Sequence, residues 1–231
     1  MTLEVAAAIP AYRAGPSVAA VVEGTLRQVA AVLVVDDGSD DDTAAAAARA
    51  GAEVVSLPTN QGKGDALRTA FELLFGRGCQ AVVTLDADGQ HLPEEIPKLL
   101  QGWRDGADLV LGSRDQLYAQ MSRVRRLSNR LSSDAISLVA GTKLVDVQTG
   151  FRLYTRDLFR TIGFPEPRFQ AETAVVIRAV RHGFRVVTVP VHLGFADGRT
   201  TSHYRPLLDS VRIALAVARA RFERRRTSRP Q

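Results

Sequence analysis

The sequence predicts an α/β fold, a mainly parallel central sheet flanked by helices. Two patterns carry that expectation. Short apolar, largely β-branched runs recur through the first half of the chain, and stretches with helical spacing of apolar residues separate them. A third observation adds a site: three of the runs end in clusters of carboxylate, glycine or aromatic residues, and in a parallel sheet such ends share one edge.

In chain order, the expected strands are Leu3–Ile9 (LEVAAAI), Ala31–Val35 (AVLVV), Glu53–Leu57 (EVVSL), Ala81–Leu85 (AVVTL) and Asp108–Leu111 (DLVL). Helices are expected between them, among others over Ser17–Val29 (SVAAVVEGTLRQV) and Lys63–Phe75 (KGDALRTAFELLF). Strand, helix, strand repeated four times describes a parallel sheet that binds ligands beyond the carboxyl ends of its strands. The ends that stand out are IPAYR over 9–13, DDGS over 36–39 and DADGQ over 86–90.

A chain of 231 residues with 45% hydrophobic content supports one large domain with its own core. Cys79 is the sole cysteine, which excludes a disulfide framework and a cysteine-rich zinc site; in its apolar setting it reads as a small buried hydrophobe. No run approaches the roughly 18 apolar residues of a membrane span, and no N-terminal stretch joins basic residues to a long apolar core. The expectation is a cytoplasmic protein that does not cross a bilayer. Its net charge of +5 is unevenly distributed: residues 1–115 hold 9 Lys+Arg against 17 Asp+Glu, and residues 116–231 hold 21 against 8. An acidic half suits a metal ion and the nucleotide carried with it, and an arginine-rich half suits phosphate groups or an anionic surface. Nucleic acid is not among the expected partners.

Each polar cluster has two readings. DDGSDDDT over 36–43 is good turn chemistry, with Asp or Thr capping the alanine-rich helix that follows. Asp86 and Asp88 stand one residue apart, where like charges repel unless a cation lies between them. They too fit a turn, and Pro93, Glu94 and Glu95 make a favourable first helical turn. Three such clusters on one sheet edge favour a ligand site, and a divalent cation is the simplest counter-charge for the Asp86–Asp88 pair.

Competing motifs are absent. Gly62-Lys63-Gly64 opens a helix but lacks the Walker spacing, and it lacks the third glycine of the dinucleotide fingerprint. There is no Gly-x-Ser-x-Gly elbow, and His91, His182, His192 and His203 have no metal-ligand spacing. His182 and His192 read as structural or solvated. Phosphatases of the haloacid-dehalogenase type carry Asp-x-Asp after the first strand, whereas here it follows the fourth.

Residues 9–12 (IPAY), 34–39 (VVDDGS), 60–64 (NQGKG), 85–91 (LDADGQH), 112–114 (GSR) and 146–154 (DVQTGFRLY) resemble, in order, the successive motifs of inverting family 2 glycosyltransferases. The resemblance is nearest to the dolichol-phosphate mannosyltransferase and polyprenyl-phosphate glycosyltransferase branch and spans roughly residues 3–205. It implies a GT-A fold, Rossmann-like and nucleotide-sugar-binding, with a catalytic domain over 1–205 and a C-terminal amphipathic helix and basic tail over 206–231. On this resemblance Pro10 and Tyr12 line the nucleobase pocket and Asp37 accepts hydrogen bonds from base or ribose. Lys63, Asp86, Ala87, Asp88 and His203 complete the donor-binding set. Asp86, Asp88 and the amide oxygen of Gln90 match the family's Asp-x-Asp-x-Gln metal motif, and hard oxygen ligands beside a diphosphate describe Mg²⁺ or Mn²⁺. Asp88, Glu172 and Arg199 are the candidate catalytic residues.

The acceptor site is expected from RVRRLSNR over 123–130, helical by spacing, with Leu127, Leu131 and Leu138 on one side and Arg123, Arg126 and Arg130 elsewhere. By itself this is a solvated basic face. The resembled family places a phosphate-binding arginine in the matching stretch, which makes Arg125, Arg126 and Asn129 candidates for holding a lipid phosphate. An ionised phosphate needs no general base. Glu172, in RFQAET over 168–173, matches a position where the family has a carboxylate near the acceptor. It is the base if the acceptor is a hydroxyl, and otherwise a helix-start carboxylate.

Over 198–204 (GRTTSHY) the sequence departs from these relatives: Thr200 stands where they have Gly and Asp197 where they have Arg, while Ser202-His203 fits their Ser-Lys. Arg199, His203 and Arg205 are the candidates for the pyrophosphate-binding cation. Beyond this loop, Leu207, Val211, Leu215, Ala218 and Phe222 form one stripe ahead of RARFERRR over 219–226. That is the form of a helix lying on an anionic membrane surface, or of one docked on the core with a basic tail. The expected function is metal-dependent, inverting transfer of a hexose, mannose or glucose, from a GDP- or UDP-sugar to a polyprenyl (dolichyl or undecaprenyl) phosphate. The protein would work on the cytoplasmic face of the membrane, bound peripherally or through a membrane partner protein. Two alternatives stay open: the same donor chemistry on a hydroxyl acceptor with Glu172 as base, and a nucleotide-sugar-binding module without turnover.

Overall fold

The computed structural model describes residues 3–113, 137, 144, 147, 149–164 and 170–194. Among these, strands β1 (Val5–Ala11), β2 (Val32–Asp36), β3 (Glu53–Ser56), β4 (Ala81–Thr84), β5 (Leu109–Ser113), β6 (Arg152–Thr155) and β7 (Val186–Pro190) form one sheet. The strand order is β3-β2-β1-β4-β6-β5-β7. Helices α1 (Gly15–Leu26), α2 (Thr43–Arg49), α3 (Lys63–Gly76), α4 (Ile96–Arg104), α5 (Arg156–Ile162) and α6 (Gln170–Arg181) pack around it. The five expected strands are all present. No helix among the described residues is long and apolar enough to cross a membrane.

β1 sits between β2 and β4 and runs parallel to both, with Ala11 opposite Asp36 and Ala8 opposite Thr84. The residues that follow β1, β2 and β4 therefore emerge along one edge, as the sequence predicted. The alternation of side chains along β1 feeds two apolar layers. Ala6 and Ala8 join Leu67, Phe71 and Leu74 of α3 and Val175 of α6 on one face, while Ala7 and Ile9 join Val18 and Val22 of α1 and Leu99 of α4 on the other. Phe71 centres the first layer, 4.9 Å from the ring of Tyr154 and 5.3 Å from that of Phe164. A fully buried side chain of this kind contributes roughly 1.5–3 kcal/mol.

β6 and β7 were not expected from the sequence. β6 is antiparallel to both β4 and β5 and lies between them, buried along its length. It begins with an arginine and carries no β-branched apolar run of the kind that marks β2, β3 and β4, so only the fold reveals that Phe151–Thr155 crosses the core.

The turn after β2 carries a close approach. Gly38 has φ +71°, and a Cβ there would lie 2.7 Å from the carbonyl carbon of Thr59 and 2.8 Å from the nitrogen of Asn60. The segment after it begins α2, where Asp42 at the N-cap makes no side-chain capping bond; Asp41 instead accepts from the Thr43 N–H at 3.1 Å. Gly38→Ala is expected to destabilise the fold by about 2 kcal/mol or more, since it adds left-handed strain to a backbone clash. Urea unfolding reads this as a lowered midpoint; an unchanged midpoint would mean that the two loops do not touch.

Candidate active site

The turn after β4 is locked from several sides. The Asp86 N–H donates to Nδ1 of His91 at 3.1 Å, Asp88 Oδ1 accepts from the Gln90 N–H at 3.0 Å, and Ser17 Oγ of α1 donates to the Ala87 carbonyl at 2.7 Å. The Gly194 N–H donates to the Gln90 carbonyl at 3.0 Å. His91 is buried and stacks on Phe151 with 5.3 Å between centroids. Because Nδ1 accepts a backbone N–H, the His91 proton in this arrangement sits on Nε2. His91 thus shapes the turn. Asp86, Asp88 and Gln90 all remain partly exposed.

Lys63, the first residue of α3, reaches this turn. Its Nζ lies 2.6 Å from Asp86 Oδ1 and 3.1 Å from Glu172 Oε2 of α6. Burial opposes the ammonium, but Asp86 and Glu172 outweigh it and hold the Lys63 pKa above its ordinary value. Glu172 is only 4% exposed, and its Oε1 lies 4.0 Å from Nε of Arg152. Arg152 is fully buried on β6, where its guanidinium donates to the carbonyls of Thr149 at 2.7 Å, Glu172 at 2.6 Å and Val147 at 2.9 Å. Those carbonyls make burial of a charge tolerable. Tyr154 lies beside it, its hydroxyl pushed up to about 12 by burial. Gly150 closes against the pair: a Cβ there would fall 2.6 Å from Lys63 Nζ and 2.7 Å from Asp86 Oδ2.

Along the same edge, Asp37 is buried after β2 and its two oxygens accept the N–H groups of Gln61 and Gly62, each at 2.7 Å. Burial pushes its carboxyl pKa up, and the two N–H bonds pull against that. Any contact Asp37 makes with a nucleoside is made by a carboxylate already anchored at two points. Asp36, also buried, accepts the Ser39 N–H at 3.1 Å. At the end of β1, Pro10 is partly exposed, and Tyr12 just beyond it is 41% exposed. Arg13, with φ +51°, grips Asp40 through two bonds of 2.8 and 2.7 Å, and its guanidinium holds the Asp40 carboxyl below the usual range.

The fold therefore brings Pro10, Tyr12, Asp37, Lys63, Asp86, Ala87, Asp88 and Gln90 to one edge and adds Glu172 from α6. Arg125, Arg126, Asn129, Arg199, His203, Arg205 and the helix expected from Leu207 lie outside the described residues. Sequence reasoning missed Gly150 and Arg152 as site residues, although both stand in the DVQTGFRLY motif; the signal was an arginine inside an apolar run. It also missed the Arg13–Asp40 clasp. Among the described residues no three His, Cys, Asp or Glu side chains gather as a metal cage. The oxygen donors of Asp86, Asp88 and Gln90 on one partly exposed turn nonetheless fit a hard cation that takes its remaining ligands from phosphate and water.

Residues 7–163 match the family described as Glycosyl transferase family 2. The chain belongs to this family. Among curated family members, a glycosyltransferase of Haloferax volcanii, AglJ, is 30% identical over 186 residues, 78% of this chain and 58% of that protein. An undecaprenyl-phosphate mannosyltransferase of Micrococcus luteus is 32% identical over 60% of this chain and 59% of its own length. A polyprenol monophosphomannose synthase of Mycolicibacterium smegmatis is 30% identical over 60% and 54%. The chain thus spans a little over half the length of these relatives. Among solved structures, glucosyl-3-phosphoglycerate synthase of Mycobacterium tuberculosis superposes with a TM-score of 0.73 at 22% identity, over 94% of this chain and 80% of that one. The same enzyme in complex with Mn²⁺, UDP and phosphoglyceric acid gives 0.73 at 20% identity, over 94% and 78%. At these identities the likeness establishes the GT-A fold and nothing narrower.

Asp37→Asn replaces one of two acceptors with a donor facing a backbone N–H. Stability is expected to fall by about 1–3 kcal/mol, and hydrogen exchange at the Gln61 and Gly62 amides to accelerate. Unchanged protection at both amides would refute the anchoring role.

Proposed function

We propose that the protein is a glycosyltransferase that moves a hexose from a nucleoside-diphosphate sugar to a polyprenyl phosphate. The observation that carries this reading is the Asp86–Asp88 turn, held at the carboxyl edge of the sheet beside the Asp37 loop and the end of β1. The names of the Micrococcus and Mycolicibacterium relatives support a polyprenyl phosphate acceptor and mannose as the sugar. In this reading Pro10, Tyr12 and Asp37 receive the nucleoside of a GDP- or UDP-sugar. Asp86, Asp88 and Gln90 hold Mg²⁺ or Mn²⁺, with Ala87 and His203 against the donor. When bound, the ion offsets the charge that develops on the departing nucleoside diphosphate. Arg199 adds positive charge to that diphosphate, and Arg125, Arg126 and Asn129 hold the acceptor phosphate.

The acceptor is largely ionised near neutral pH. Its oxygen attacks the anomeric carbon as the bond from that carbon to the β-phosphate oxygen breaks, so configuration inverts and no proton has to be removed. Catalysis then consists of alignment and electrostatic stabilisation. A polyprenyl acceptor requires contact with a membrane, which the apolar stripe from Leu207 to Phe222 and the basic run over 219–226 would supply peripherally, on the cytoplasmic face or through a membrane partner.

The test is release of nucleoside diphosphate from a panel of GDP- and UDP-sugars with Mn²⁺, with and without undecaprenyl phosphate. Lipid-dependent release from one donor is expected, stopped by EDTA, restored by Mn²⁺, and lowered about 100-fold or more in Asp88→Ala. Release that ignores the lipid, or none from any donor, rejects the polyprenyl phosphate acceptor.

A further inference from the structure

We infer that Lys63 and Glu172 form a positioning relay for the metal-binding turn: Lys63 fixes the Asp86 carboxylate, and Glu172 acts through Lys63 and not as a base. The inference rests on the reading of Asp86 as a metal ligand given above.

Three observations converge on it. The first is the state of the Glu172 carboxylate. Oε2 lies 3.1 Å from the Lys63 ammonium, while Oε1 is sealed from solvent with no hydrogen bond among the described residues, 4.0 Å from Arg152 Nε. A general base must come within about 2.6–3.2 Å of the proton it takes, directly or through one water. A carboxylate with one oxygen on an ammonium and the other buried offers no such approach. The second observation is what prevents it from turning away. The Arg152 guanidinium donates to the backbone carbonyl of Glu172 itself and to those of Thr149 and Val147, so the start of α6 and the 147–152 segment are tied together around a buried charge. Swinging Glu172 outward would strand Lys63 with less than its full counter-charge in a buried setting, which is costly.

The third observation is steric. Gly150 lies over the ion pair so closely that a Cβ would meet Lys63 Nζ at 2.6 Å and the two Asp86 oxygens at 2.7 and 2.9 Å. Its carbonyl is held by Thr84 Oγ1, on β4, at 2.9 Å. Asp86 is thus oriented from three sides: by Lys63 on Oδ1, by the Gly150 backbone above it, and by its own N–H on His91. Partners that orient a metal ligand typically matter 10–100-fold in metal affinity.

The test measures Mn²⁺ binding, by the electron paramagnetic resonance of free Mn²⁺ in the presence of UDP or GDP, for the wild type, Lys63→Met, Glu172→Gln, the double variant and Gly150→Ala. Lys63→Met is expected to weaken Mn²⁺ binding about 10–100-fold. Glu172→Gln retains an oxygen for Lys63 and is expected to weaken it less than tenfold. The double variant should be no weaker than Lys63→Met alone, because Glu172 acts through Lys63. Gly150→Ala keeps every charge and should still weaken binding as it displaces the pair. In turnover, Glu172→Gln should recover kcat to within tenfold of wild type at saturating Mn²⁺. A kcat loss of about 100-fold or more that excess Mn²⁺ does not restore, with Mn²⁺ affinity unchanged, is the signature of a base and overturns the inference. Additive losses in the double variant, or wild-type affinity in both Lys63→Met and Gly150→Ala, overturn it as well. If the wild type binds Mn²⁺ but transfers nothing to undecaprenyl phosphate, the acceptor assignment falls while the Mn²⁺ titrations still decide the relay.

Discussion

The Lys63 ammonium between Asp86 and Glu172 is the contact on which the site's geometry depends. Two carboxylates from distant parts of the chain approach each other in a mostly buried setting, which Coulomb repulsion forbids unless a cation stands between them. Lys63 begins α3, Asp86 follows β4 and Glu172 lies in the first turn of α6, so one charge joins three elements that pack on the same apolar layer. Arg152 extends the arrangement inward by gathering three carbonyls around a second buried cation.

What places Lys63 is a second set of contacts at the neighbouring strand ends. Asp37 accepts the N–H groups of Gln61 and Gly62 immediately before α3 starts, and Gly38 allows the 59–60 backbone to lie against the turn. The end of β2 thereby sets the position of the α3 N-terminus, and with it the reach of the lysine. Pairing of β1 with both β2 and β4 brings those ends to one edge. Asp37 is thus connected to Asp86 by two hydrogen bonds to the 61–62 backbone, the start of α3 and the Lys63 ion pair.

Membership of glycosyltransferase family 2 explains why this edge carries carboxylates, but the fold does not choose the acceptor. Proteins of the same architecture carry names that range from polyprenyl-phosphate mannosyltransferases to a glucosyl-3-phosphoglycerate synthase. Acceptor chemistry is set by the groups that meet the nucleophile. The burial of Glu172 against Lys63 bears on that choice, because a hydroxyl acceptor needs a base that its proton can reach.

Much of this architecture was legible in the sequence. The five apolar runs with helical stretches between them specify parallel strands, and parallel strands must end on a common side, so the convergence of Ile9–Arg13, Asp36–Ser39 and Asp86–Gln90 follows from pattern alone. What pattern does not contain is contact between segments far apart in sequence. That Arg152 is a buried organiser, that β6 runs antiparallel between β4 and β5, and that Glu172 faces Lys63 are consequences of packing. A short strand that opens on an arginine lacks the apolar run that marks its neighbours, and a lysine or glutamate in a sequence carries no record of its partner. Sequence periodicity determined which strand ends meet at the edge; only the tertiary structure decided which charges neutralise one another there, because burial and distance set that energy.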